Sequence, residues 1–247
     1  MSDAVCSIAG KTECTVSAAT TKRWTWSQHW INLLFLHWRV SADALAAHVP
    51  DGLEIDEHDG SAWVSLVLFR LKVRPRWLPF VPGFSTFNEL NLRTYVRYRD
   101  QPGICFLSIH ADNRWAIRIA RRLTPLPYHE ARVRYQQSGC DFSFDCQNRA
   151  VPERRLSLSF RPEGGLRQPQ DGTRDAWLLE RYHLFITGRS RQLQAAEVFH
   201  PRWHFCEAEA TIFENTIGSA FALDLGKVPD AIHFSPGVQT RFGAFTG

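Results

Sequence analysis

Segments rich in β-forming residues follow one another along this chain with little helical pattern between them, and that succession limits its fold most. Ala62–Val73 and Leu90–Tyr98 read as strands, as do Ile104–His110, Ala131–Gln137, Phe142–Cys146 and Leu156–Phe160. Leu33–Val40 is expected to be the first strand, and Tyr182–Thr187, Gln192–Val198 and His204–Ile212 look extended. Helical signals are short. Ser41 is an N-cap candidate for a helix through His48, Asp112 or Asn113 can cap one running to about Leu123, and Asp175–Leu179 has helical character. Pro125 and Pro127 stop the second of these. Strands that succeed one another without crossover helices pair mainly antiparallel, so the fold class is mainly β (α+β), with a sheet that is curled or closed. No GxGxxG, complete GxxxxGK[ST] or GxSxG motif occurs, which removes support for doubly wound nucleotide folds and α/β hydrolases.

The 247 residues suit one large domain, and no Gly/Ser-rich or charged linker divides them. Residues 1–22 are small and polar and are expected to form a flexible N-terminal arm, with 23–247 as a single domain. The apolar runs, such as Ile31 to Leu36, fall far short of the ~20 residues of a membrane helix. The first residues lack a basic, apolar leader, so the expected location is cytoplasmic, with no membrane partner. Of 29 basic residues only Lys11, Lys22, Lys72 and Lys227 are lysines. The other 25 are Arg, which clamps anions but does not serve as an amine nucleophile. A net charge of +4 does not call for nucleic acid, and none is expected as a partner. The six cysteines include no CxxC pair, and reduced, buried thiols are the expected state, although Cys140 and Cys146 could face each other across a hairpin.

Glu89, Asn91, Arg93 and Tyr95 occupy alternate positions of one predicted strand and so share a face, with Leu90, Leu92, Thr94 and Val96 on the other. On general grounds such a row is a solvated sheet face. The alternative is a polar row lining a cleft, where a carboxylate and a guanidinium hold an acidic ligand and its proton. A second row, Arg70, Lys72, Arg74 and Arg76, is expected to be an exposed edge that discourages association between sheets. His200, His204 and Cys206 include metal-binding residue types. Pro201 prevents the helical spacing such a site needs, so structural histidines and no metal are expected.

Several motifs occur together. Phe35–Val40 with Arg39, the helix Ser41–His48 and the turn Val49-Pro50-Asp51-Gly52-Leu53-Glu54 resemble the opening of the acetoacetate decarboxylase superfamily. Ala62–Arg70, Phe87–Val96 and Leu126-Pro127-Tyr128 resemble its YqjF-like branch more closely. The resemblance implies a mainly antiparallel sheet curled into a cone or barrel around a small-molecule pocket. It sets Arg39 at the superfamily's first-strand arginine and Glu89 near its pocket glutamate. Pro127-Tyr128-His129 stands in place of the Pro-Lys-Lys that carries the Schiff-base lysine. Tyr128 cannot form an imine, so amine-catalysed decarboxylation is not expected. The resemblance leaves a pocket for a small organic acid or carbonyl compound without a cofactor. Tyr128, His129 and Glu89 are its candidate acid–base residues, and Arg39, Asn91 and Arg93 its candidate ligand-binding residues. A non-catalytic binding or sensor protein on the same scaffold is the alternative, and self-association is left open.

Overall fold

The computed structural model describes residues 24–75, 85–188 and 190–246. The expected arm and Arg76 lie outside them. Among the described residues twelve strands form one sheet: β1 (Trp26–Val40), β2 (Glu54–Ile55), β3 (Ala62–Pro75), β4 (Thr86–Tyr98), β5 (Gln101–Ala111), β6 (Tyr128–Ser138), β7 (Asp141–Asn148), β8 (Arg155–Arg167), β9 (His183–Thr187), β10 (Leu193–Phe199), β11 (Phe205–Asn215) and β12 (Ala231–Phe242). Three short helices, α1 (Ala42–Ala46), α2 (Arg114–Leu123) and α3 (Arg174–Leu179), start at side-chain caps from Ser41, Asn113 and Thr173. Each cap oxygen accepts a backbone N–H that the helix leaves unbonded.

The strands run in the order β10-β9-β5-β6-β7-β8-β11-β12-β1-β3-β4-β2, with further pairings of β5 to β4 and β10 to β12. The β4–β5 pairing closes nine strands into a ring, and β9 and β10 bridge from β5 across to β12. Pairing is antiparallel except that β5 runs parallel to β6 and β9. The expected mainly antiparallel, curled sheet is what forms.

This branching buries β1, β3 and β4 on both faces. Leu34, Leu36, Leu66, Leu68, Leu90 and Leu92 enter a first core with Phe142, Phe144, Leu158 and Phe160 of β7 and β8. Phe35, Trp63, Val67, Phe69 and Tyr95 face a second core with Leu178 and Leu179 of α3 and Leu184 of β9. Two-sided burial explains the nearly unbroken apolar runs of these strands. Arg70, Lys72 and Arg74 are exposed, but β3 pairs with β1 and β4 along this row, so the basic side chains lie on a solvated face and not on the expected edge. Cys105, Cys146 and Cys206 are free and buried, whereas Cys140 is disulfide-bonded, contrary to the expectation of reduced thiols.

Candidate functional site

The second core is not wholly apolar. Strand register places Phe35, Val67 and Asn91 in one row across β1, β3 and β4, and His37, Ser65 and Arg93 in the next. Glu89, Asn91, Arg93 and Tyr95 all point into this core and are at most 7% exposed. The solvated-face expectation for this row is therefore wrong. β9, β10 and α3 cover the face that would otherwise meet water.

Glu89 and Tyr128 meet here, with the Tyr128 hydroxyl donating to Glu89 Oε2 at 3.3 Å. β5 lies between their strands, pairing Asn91 with Ile109 and Ile109 with Tyr128. Burial pushes the Glu89 carboxyl up to about 7, against hydrogen bonds from Asn91 and Tyr128 that pull it down. Burial, and then the Glu89 charge, hold the Tyr128 phenol well above its usual range. The carboxyl is thus poised to exchange a proton near neutrality, and the phenol stays a donor.

Arg93 lies over the rings of Phe35 and Tyr95, with its guanidinium carbon 5.5 and 5.8 Å from their centroids. One Nη donates to the Leu178 carbonyl at 3.5 Å, and the buried Nε has no partner. Among the described residues it forms no ion pair. Its neighbour Arg181, by contrast, is held by Asp56 at 2.6 Å. The Asn91 Oδ1 atom is likewise buried without a partner.

Two expected residues stand apart. Arg39 lies on the same face at the end of β1, exposed, over the Trp63 ring at 5.0 Å. His129 points to the other face of β6 from Tyr128, because adjacent strand residues alternate, and stacks on His110 at 5.3 Å. Glu89, Asn91, Arg93 and Tyr128 are therefore brought together, and Arg39 and His129 are not. His200 and His204 also part, toward Pro201 and Gln168.

A polar chain in the same core went unseen in the sequence. His37 Nδ1 lies 2.6 Å from Ser65 Oγ, which lies 2.6 Å from the Tyr95 hydroxyl. On the other side of the ring His37 Nε2 meets His233 Nδ1 at 3.1 Å, and His233 Nε2 meets Asp175 Oδ1 at 3.2 Å. The available signal was the alternation of His37 with Phe35 on β1 and one serine inside the apolar run of β3. Both patterns fit an ordinary strand.

A closed, branched sheet around a polar core of this kind defines the acetoacetate decarboxylase-like fold. The structure aligns with the enduracididine biosynthesis enzyme MppR, solved with pyruvate, at a TM-score of 0.65 and 15% identity over 93% of this chain and 92% of that one. It also aligns with acetoacetate decarboxylase from Legionella pneumophila at a TM-score of 0.60 and 14% identity, over 93% of each chain. At such identities the likeness shows the fold alone. Residues 27–239 match the DUF2071 family, described as an uncharacterized conserved protein, and the chain belongs to that family. It is 36% identical to the uncharacterized protein YqjF of Bacillus subtilis (strain 168) over 213 residues, 86% of this chain and 88% of that protein.

Proposed function

We propose that the protein binds a small organic acid carrying a carbonyl group, with the acid's carboxylate on Arg93. Glu89 and Tyr128 then move protons at the carbonyl without help from a lysine. The supporting observation is the Arg93 guanidinium, buried, unpaired among the described residues and carrying an unbonded Nε. Proteins keep a buried charge when something pairs with it, and an uncompensated one costs several kcal/mol on the order-of-magnitude scale of ion desolvation. A ligand carboxylate supplies the missing partner through charge-assisted hydrogen bonds.

The remaining groups suit the rest of such a ligand. Asn91 Oδ1 is free to accept from a hydroxyl, and Glu89 offers or takes a proton near pH 7. Tyr128 donates to the Glu89 carboxylate and steadies it. Arg39, exposed at the strand end, is proposed to draw the anion in rather than to hold it. His129 is left out of the site. The pyruvate bound to MppR is in keeping with this ligand class.

Calorimetric titration of the purified protein with pyruvate and with acetoacetate tests the reading. Binding by the wild type and a loss of roughly 2–4 kcal/mol in Arg93→Met are expected, since truncation strands a buried carboxylate. Tyr128→Phe is expected to bind nearly as well as wild type. Equal affinity in Arg93→Met, or no binding of either acid, refutes the proposal.

A further inference from the structure

The chain Asp175–His233–His37–Ser65–Tyr95 is not needed to bind a carboxylate, yet it crosses five elements, four strands and a helix, and ends beside Arg93. His37 and Ser65 face each other in the register of β1 and β3, and Ser65 faces Arg93 in that of β3 and β4. Its inner four members are at most 3% exposed. Its outer member, Asp175 in the first turn of α3, has a side chain 25% exposed. The hydrogen bonds run in one direction. A carboxylate only accepts, so His233 donates from Nε2 to Asp175 and accepts at Nδ1 from His37 Nε2–H. His37 Nδ1 is then an acceptor for the Ser65 hydroxyl, whose oxygen accepts from Tyr95. The Tyr95 hydroxyl also lies 3.2 Å from His37 Nδ1, a longer contact than the two 2.6 Å links through Ser65. Each of the four links carries one proton, pointed away from Arg93 and toward the surface. Burial, and then the charges of His233 and Arg93, hold the His37 imidazole well below its usual range, which keeps Nδ1 free to accept. The His233 contact, opposed by burial, draws the Asp175 carboxyl below its usual value and keeps it an acceptor.

We propose that this chain is a proton relay that enolises a 2-oxo acid held on Arg93, an activity that rests on the ligand reading above. The C–H bond next to the ligand carbonyl breaks, and its electron pair enters the enolate, whose negative charge faces Arg93. The carbon's proton goes to the Tyr95 oxygen as the Tyr95 hydroxyl proton passes to Ser65. The Ser65 proton passes to His37 Nδ1, and the His37 Nε2 proton to His233 Nδ1. His233 ends as an imidazolium against the Asp175 carboxylate, so one negative charge on the enolate is matched by one positive charge on the relay. Return of the protons regenerates the keto acid. Tyr95 is the member that touches the ligand, and the other four act through it.

Proton NMR of pyruvate in heavy water reads the step directly as loss of the methyl signal, with affinity measured in parallel by calorimetry. The full-length wild type is expected to exchange the methyl protons faster than buffer alone. Ser65→Ala is expected to slow exchange at least tenfold while its Kd stays within twofold. Asp175→Asn, at the partly exposed end where folding is less at risk, is expected to do the same, and Asp175→Glu to recover most of the rate. A merely structural role would move affinity and stability without this split. Binding without exchange in the wild type overturns the relay and leaves the ligand reading standing, as does unchanged exchange in both Ser65→Ala and Asp175→Asn. Absence of pyruvate binding overturns the ligand class and the relay together.

Discussion

Burial lifts the carboxyl of Glu89 from the ordinary carboxylate range to about 7, and that shift carries a sign that stability measurements can read. The unfolded chain gives up this proton near pH 4.5, whereas the folded chain keeps it until about 7. The folded state therefore binds more protons in that window, and the contribution of Glu89 to stability falls as pH rises through it. Urea denaturation of wild type and Glu89→Gln should converge below pH 4.5. Above pH 7 the variant should be more stable, by an amount on the order of 3 kcal/mol. His37 and His110 act in the opposite direction, because burial holds both imidazoles below 6.5 and the unfolded chain takes their protons as pH falls. Subtraction of the variant isolates the carboxyl. Arg93 gives a second test at this scale. If its unpaired charge is retained for a ligand, Arg93→Met should raise the ligand-free melting temperature even as it abolishes binding, a gain of about 1–4 kcal/mol. The residues on this face were legible as a polar row from Glu89 to Tyr95. Period-two alternation says which side chains share a face, and nothing about what covers it.

Among the elements, β5 carries the branch of the sheet. It pairs with β4, β6 and β9, and Gly103 lies where β4 and β9 both approach. A Cβ on Gly103 would meet the Phe185 ring at 2.5 Å and the His183 carbonyl at 2.6 Å, backbone that cannot yield cheaply. Gly103→Ala should destabilise the protein by about 1–3 kcal/mol, read as a lower urea midpoint. The two-residue β2 was read as part of a turn, whereas β3 to β11 were mostly visible as strands, because β formers and turn residues bound them. β12 was not, although it joins β11, β1 and β10. Pro236-Gly237 reads locally as a turn, and in the fold Gly237 takes a φ of +146° where a Cβ would lie 2.4 Å from the Trp30 carbonyl. The early part of β1 was missed for a related reason. Asn32 has a φ of +51°, and the register with β3 shifts between Ile31 and Leu34, so the alternation breaks there.

At the scale of the molecule, one sheet enclosing two cores leaves no amine near the polar cluster among the described residues. Lys72 and Lys227 are exposed, and the residue after Pro127 is Tyr128, which cannot form an imine. Borohydride treatment with acetoacetate should therefore leave no stoichiometric lysine adduct, checked by intact-mass spectrometry. An adduct on either lysine would refute lysine-free chemistry. Among the described residues no helix is long and apolar enough to cross a membrane, and no group of three or more His, Cys, Asp or Glu could hold a metal ion. What the sequence by itself determined is the fold class and the YqjF-like family, since strand periodicity, turn residues and the motifs from Phe35 to Tyr128 are local in the chain. It also determined that Glu89, Asn91 and Arg93 share a face, and that Tyr128 cannot form an imine. Only the tertiary structure decided that this face is buried and that Tyr128 reaches Glu89 while His129 turns away. Only it joined His37, Ser65, Tyr95, His233 and Asp175, which come from four strands and a helix as far as 196 residues apart at a single contact. Pairing between distant strands is set by register and by the second layer of the sheet, and no local pattern carries either.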